Sequence, residues 1–346
     1  MNLSLAKFLP QVGLDIGTSA IRLKIVGQDT LVEEPSCIRV DSASGEILAF
    51  GRSAADAQGR SGDVRYLVTG GVVDNPQELK PLANQMLQQA GPQLFLAQPT
   101  YLISVPAGAT QVESLANAQV GRLLGGREVM TVSSVLAASI GAKVPLDDSA
   151  GCFIFHLGAG RVEVAAIALG GVVAVESSVN AGDYLKNKLA SLFQIQRGLR
   201  LAQSDLATVL HRIVSLNKSS GRHQVIRGQS TTDGKLQEID LGSDEFYESV
   251  LTYGQDLVKL VERLFGRLSP DLLVETPVRG LLLSGGLAQL DGLDGFLSDQ
   301  LKIPVSIVDQ PDRVVVLGLE QILRHKQEFW DRITGGQNGS GMIDWS

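Results

Sequence analysis

Two stretches of this chain are built alike. GLDIGTSAIRLKIV occupies residues 13–26, and FHLGAGRVEVAAI occupies residues 155–167. Each reads as a strand, a glycine turn and a second strand. A hairpin that recurs about half a chain later divides the sequence into two α/β halves. Length agrees, because 346 residues exceed what one ordinary core fills. Glycine turns let the backbone approach an anion closely, and successive N–H groups make a nest for phosphate oxygens. Two such hairpins facing each other across a cleft would clamp the phosphates of a nucleotide.

The rest of the pattern fits two α/β halves. EEPSCIRVDSASGEILAFG (33–51) predicts a strand pair with its turn at SASGE. NPQELKPLANQMLQQA predicts a helix capped by Asn75, with Leu79, Leu82, Met86 and Leu87 on one face. TYLISVP reads as a buried strand, residues 109–124 as a helix, and VSSVLAASIGAKVP as a helix ended by glycine and then proline. After the second hairpin and its third strand, AGDYLKNKLASLF opens a helix. Residues 196–242 are polar and read as strand-poor, with exposed loops. A long amphipathic helix capped by Ser243 follows. GLLLSGGLAQLDGLDGFLSDQL then gives strand, glycine turn and helix, IPVSIV a strand, and VVVLGLEQILRHKQEFW a closing helix.

Composition narrows the partners. Hydrophobic residues make up 44% and charged residues 19%, a folding composition rather than a disordered one. A net charge of −7 without a basic stripe argues against nucleic acid. The two cysteines, Cys37 and Cys152, are too far apart for a CxxC metal pair and fit a reducing cytoplasm. The longest apolar stretch, 152–175, carries His156, Arg161 and Glu163, so it reads as buried strands and not as a membrane span. No secretory signal pattern is read. In MNLSLAKFLP, helical spacing puts Met1, Leu5, Phe8 and Leu9 on one face. That segment either docks on its own domain or anchors weakly to a membrane surface, where many copies in a polymer would add avidity. The last residues, TGGQNGSGMIDWS, read as a flexible tail, or as a partner-binding peptide built on Ile343 and Trp345.

Together the two hairpins and the third glycine turn, LSGGLAQL (283–290), resemble the actin, hexokinase and DnaK-type chaperone superfamily. Within it the chain is most similar to the bacterial actin MreB family, from residue 12 to about residue 324. GGVVDNPQEL, ISVPAGATQVE and the block running from AASIGAKVPLDDSAG to VNAGDYL carry that resemblance beside the glycine turns. It implies an α/β actin-like fold of two lobes, each on an RNase H-like βββαβα core, with four subdomains. The expected divisions are 12–33 and 75–150 with closing helix 314–331, small subdomain 34–74, 151–183 with 250–313, and small subdomain 184–249. Residues 1–11 stand as the membrane-binding segment and 332–346 as the tail. The resemblance also implies ATP or ADP with Mg²⁺ between the lobes, and self-assembly into filaments on the inner face of the plasma membrane. There, filaments of the family guide wall synthesis and cell shape.

Carried over residue by residue, the nucleotide positions are Asp15, Gly17, Thr18 and Ser19 in the first turn and Gly158, Ala159, Gly160 and Arg161 in the second. Gly182, His211, Gly285, Gly286, Leu287 and Ala288 complete the set, with Asp15 organising the metal shell. Four departures stand out. His156 replaces the family's aspartate before the second turn, and Arg161 replaces a threonine after it. Ser134 and Val135 stand where the family has a water-orienting glutamate and a proline. No Glu-x-x-Lys pair for ribose and base occurs around ATVLHRIV, where His211 is nearest to the lysine position. His156 is either a core histidine or a nucleotide contact. Arg161 lies on a solvated face or reaches the phosphate pocket. Losing the water-orienting acid and one metal-organising acid removes two positioning elements, and since a general base alone typically supplies about 10²–10⁴-fold in rate, hydrolysis has little margin to survive both losses. The expected function is therefore a cytoskeletal scaffold with weak or absent ATP hydrolysis and assembly that does not require nucleotide. The alternatives are a rewired ATPase of the same family, or a non-polymerising membrane adaptor. A sugar or acetate kinase is least favoured.

Overall fold

The first hairpin pairs Gln11–Ile16 with Ala20–Ile25, placing Leu14 opposite Leu23 and Asp15 opposite Arg22. Leu31–Pro35 adds an antiparallel strand on one side, and Thr100–Val105 and Glu128–Ser133 add parallel strands on the other. The second hairpin pairs Cys152–Leu157 with Val162–Ala168, placing His156 opposite Glu163. Gly171–Ser178 continues it antiparallel, while Leu281–Ser284 and Val305–Ile307 continue it in parallel. Each half thus holds a five-stranded sheet with its first strand central, its second and third on one flank, and its fourth and fifth on the other. The repeat visible in the hairpins extends to the whole of both sheets. The central strands are almost continuously apolar because both faces are covered.

This computed structural model describes residues 9–56, 62–91, 98–144, 151–218, 220–274, 279–326 and 328–329. Met1, Leu5 and Phe8 of the N-terminal apolar face, and Ile343 and Trp345 of the tail, lie outside these residues, while Leu9 is half-buried. The helix Pro76–Ala90 forms as expected, with the Asn75 side chain accepting from Gln77 N at 3.0 Å. Its Leu79, Leu82, Met86 and Leu87 are buried against the first sheet. Gln111–Leu123 is a helix held by a capping box between Thr110 and Glu113.

Three apolar clusters hold the molecule. One fills the first half and one the second. The third draws Leu102, Met130 and Val132 from the first sheet and Ile154, Ala165 and Ile167 from the second. Between these lie the helices Ser134–Gly141 and Val314–Arg324, each following the last strand of its half. The two helices meet backbone to backbone. A Cβ on Gly141 would fall 2.1 Å from the Val314 carbonyl oxygen, and one on Gly318 would fall 1.8 Å from the Ala137 carbonyl oxygen.

Two expectations need correction. Residues 196–242 are not strand-poor: Leu199–Arg200, His223–Ser230 and Leu236–Gly242 form a three-stranded sheet. In the His223–Leu241 hairpin only Ile226 and Leu241 are apolar and buried, so its sequence carries little alternation. Ser243 does not cap the long helix. It lies inside a 3₁₀ turn, Ser243–Phe246, ahead of the helix Tyr247–Phe265, and its hydroxyl is bonded to that of Ser220 at 2.7 Å.

Candidate functional site

Both glycine turns open onto one cleft between the halves, with a volume of about 320 Å³. That is at the small end of the range for small-molecule sites. Asp15, Gly17, Thr18, Ser19, Gly158, Ala159, Gly160, Arg161, Gly182, His211, Gly285, Gly286 and Leu287 all line it. Ala288 does not. It is fully buried in the core of the second half, because the 3₁₀ turn Gly286–Gln289 points it inward.

The first turn closes by Gly17 N donating to Ala20 O at 3.1 Å. Behind it, Ser104 Oγ donates to Asp15 Oδ1 at 2.7 Å and accepts from Ile16 N at 3.1 Å. The second turn closes by Gly158 N donating to Arg161 O at 3.0 Å. Its carbonyls are held from below by the start of the helix Gly182–Arg197, with Gly182 N on Gly158 O at 3.1 Å and Asp183 N on Ala159 O at 2.7 Å. At the third turn Gly285 has φ +88°, and a Cβ would strike Leu157 O at 2.4 Å, so only glycine fits. Beside it a Cβ on Gly286 would meet nothing within 4 Å, which leaves bare backbone bordering the cleft.

Of the four departures, Arg161 ties the two hairpins together through the turn at Gly70 and Gly71. Arg161 Nε donates to Gly70 O at 3.0 Å, and Gly71 N donates to Thr18 Oγ1 at 3.0 Å. The turn at Gly70 and Gly71 therefore joins both phosphate hairpins. Asn117, fully buried, fixes that turn by donating to Gly71 O and Ser104 O and accepting from Val73 N. His156 lies in the cleft wall with Nδ1 3.2 Å from Ser284 Oγ. Burial, and then the Arg22 guanidinium, push its pKa down to about 4, so the ring is neutral at pH 7. His211 lines the cleft with Lys186 nearby, and burial lowers its pKa with Lys186 acting in the same direction.

Several cleft residues escaped the sequence reading, Glu163 and Arg22 among them. Glu163 is 2% exposed and takes the space beside Ser134. Its Oε2 accepts from Ser134 Oγ at 2.7 Å, and its Oε1 accepts from Ala107 N at 2.8 Å and Gly108 N at 3.4 Å. Burial raises its pKa, opposed by those hydrogen bonds and by Arg161. The Nε and Nη2 of Arg22 donate to Glu33 at 3.2 and 3.4 Å, and its Nη1 lies 4.0 Å from Asp15 Oδ2. The available signal was charge inside an otherwise apolar strand: Glu163 alone in VEVAAI, and Arg22 with Lys24 in AIRLKI.

A divalent ion of the kind the resemblance implies does not fit these residues. One Asp15 oxygen is taken by Ser104, and the other faces a guanidinium. The opposite turn offers an imidazole, and among the described residues no group of three or more His, Cys, Asp or Glu is placed to hold a metal. Magnesium in a phosphate site draws on waters, the phosphates and one or two carboxylates, and the one carboxylate at the first turn is already engaged by Ser104 and faced by Arg22.

Comparison with known proteins agrees with this architecture. The chain is 28% identical to the cell shape-determining protein MreB of Escherichia coli (strain K12) over 331 residues, 92% of this chain and 95% of that protein. It is 24% identical to the cell shape-determining protein Mbl of Bacillus subtilis (strain 168), over 90% of this chain and 95% of that protein. The crystal structure of MreB5 of Spiroplasma citri bound to AMPPNP superposes with a TM-score of 0.87 at 21% identity, covering 94% of this chain and 98% of that one. The MamK double helical filament gives a TM-score of 0.79 at 16% identity, covering 91% and 99%. The fold is actin-like, and with the MreB/Mbl protein family model matching residues 9–330, the chain belongs to the MreB/Mbl family.

Proposed function

We propose that this chain is a filament-forming scaffold of the bacterial cytoskeleton, serving cell shape, whose cleft holds an adenine nucleotide and turns it over weakly or not at all. Its relatives named for cell-shape determination span nearly all of it, and MamK, of the same fold, has been solved as a filament. Nucleotide in the cleft is supported by the three glycine turns around it and by MreB5, solved with AMPPNP and with ADP. The low turnover rests on Ser134. A hydroxyl that donates to Glu163 stands where the family's carboxylate orients water, and a general base alone is worth about 10²–10⁴ in rate. Work at the inner face of the plasma membrane with wall-synthesis proteins, and the four-subdomain boundaries given above, belong to the same proposal. Among the described residues no helix is long and apolar enough to cross a membrane.

The test is sedimentation and phosphate release with and without Mg-ATP. Pelleting in both conditions with no release above background is expected, and robust ATP-dependent turnover would overturn the low-turnover reading. Glu163 favours a second reading, the rewired ATPase, because it puts a carboxylate into the cleft beside Ser134. Under that reading Glu163→Gln abolishes phosphate release while nucleotide still binds. Under the first there is no release to lose.

A further inference from the structure

We infer that the cleft takes its polyphosphate ligand without a divalent metal, the neutralising charge coming from one arginine on each hairpin, Arg22 and Arg161. The inference rests on the reading of the cleft as a nucleotide site and says how that site handles charge. Both arginines line the cleft, one on the strand that leaves the first turn and the other at the exit of the second. Both are held through Nε. Glu33 takes Nε and Nη2 of Arg22, and Gly70 O takes Nε of Arg161. The Nη1 of Arg22 is 4.0 Å from the nearest carboxylate oxygen of Asp15, beyond hydrogen-bond distance, so it remains available to an incoming oxyanion. A guanidinium fixed on one edge presents its remaining donors already oriented, which suits phosphate.

The same geometry sets charge against the metal. Arg22 stands among Asp15, Glu33 and Asp312, at 4.0, 3.2 and 3.8 Å. It is already the counter-ion of the carboxylate that a metal would need. A divalent ion entering there would meet the fixed positive charge of Arg22. Across the cleft, His156 is engaged with Ser284 and carries no negative charge to share.

The test is calorimetric titration of the full-length protein with ATP, once in excess EDTA and once in Mg²⁺. Affinities within about threefold of each other are expected. Arg161→Gln is expected to weaken binding in EDTA by about tenfold or more, the loss of a charge-assisted hydrogen bond. Arg22→Gln frees Asp15, so its binding should become at least about tenfold tighter with Mg²⁺ than in EDTA. An Arg22→Gln protein that binds equally in both buffers would remove Arg22 from the site and overturn the inference. A wild-type protein that binds ATP only with Mg²⁺ would overturn it too, leaving the nucleotide reading standing. No binding in either buffer would overturn both. A thermal melt accompanies Arg22→Gln, which leaves Glu33 with Arg313 as its ion-pair partner. If that variant unfolds, the wild-type comparison and Arg161→Gln decide.

Discussion

His156 and Glu163 face each other across the second hairpin as Asp15 and Arg22 do across the first. In the first hairpin the acid stands at the turn entrance. In the second it has crossed to the exit strand, and a neutral imidazole stands at the entrance. That imidazole makes acid sensitivity predictable. Between about pH 6.5 and about pH 4 the unfolded chain binds a proton at His156 that the folded chain does not. Stability therefore falls as pH drops through this window, by roughly 3 kcal/mol at its acid end. Asp15 and Glu163 act in the opposite sense, since burial raises both. The difference between wild type and His156→Asn in urea unfolding isolates the histidine: the wild type should lose more stability on acidification, and parallel curves would refute it. At this scale the glycines were legible, because turn geometry is written in neighbouring residues. Glu163 was not, because its partners Ser134 and Ala107 lie 29 and 56 residues away, and a lone charge in a strand looks only like an exception to burial.

Among the elements, the crossing of Ser134–Gly141 with Val314–Arg324 has the least tolerance. At Gly318 a methyl group would sit 1.8 Å from a backbone oxygen, which cannot rotate aside. Gly318→Ala is expected to cost about 1–3 kcal/mol, the usual range for overpacking, read as a lower midpoint in urea. An unchanged midpoint would mean the helices can part freely. Helix Pro76–Ala90 was legible from its cap and its apolar stripe. The His223–Leu241 hairpin was not, since a sheet with one thinly covered face shows almost none of the alternation by which strands are recognised.

For the whole molecule, the shared third cluster matters most, because neither half buries its inner surface alone. Chains of this length commonly unfold in stages. Here one calorimetric transition is expected, with calorimetric and van't Hoff enthalpies equal, at concentrations too low for assembly. Two resolved transitions would show that the halves are independent. The doubling of the fold could be read from two hairpins. The fusion of the halves could not, because it depends on Gly141 meeting Gly318 across the chain, and a glycine in a helix announces no partner. That meeting has an evolutionary consequence. The helix crossing between the halves is set by main-chain atoms at Gly141 and Gly318, whereas residues 134, 156 and 161 face the cleft with side chains. Substitutions such as those at residues 134, 156 and 161 can thus rewrite what is bound while the outline that one molecule offers to the next is inherited intact.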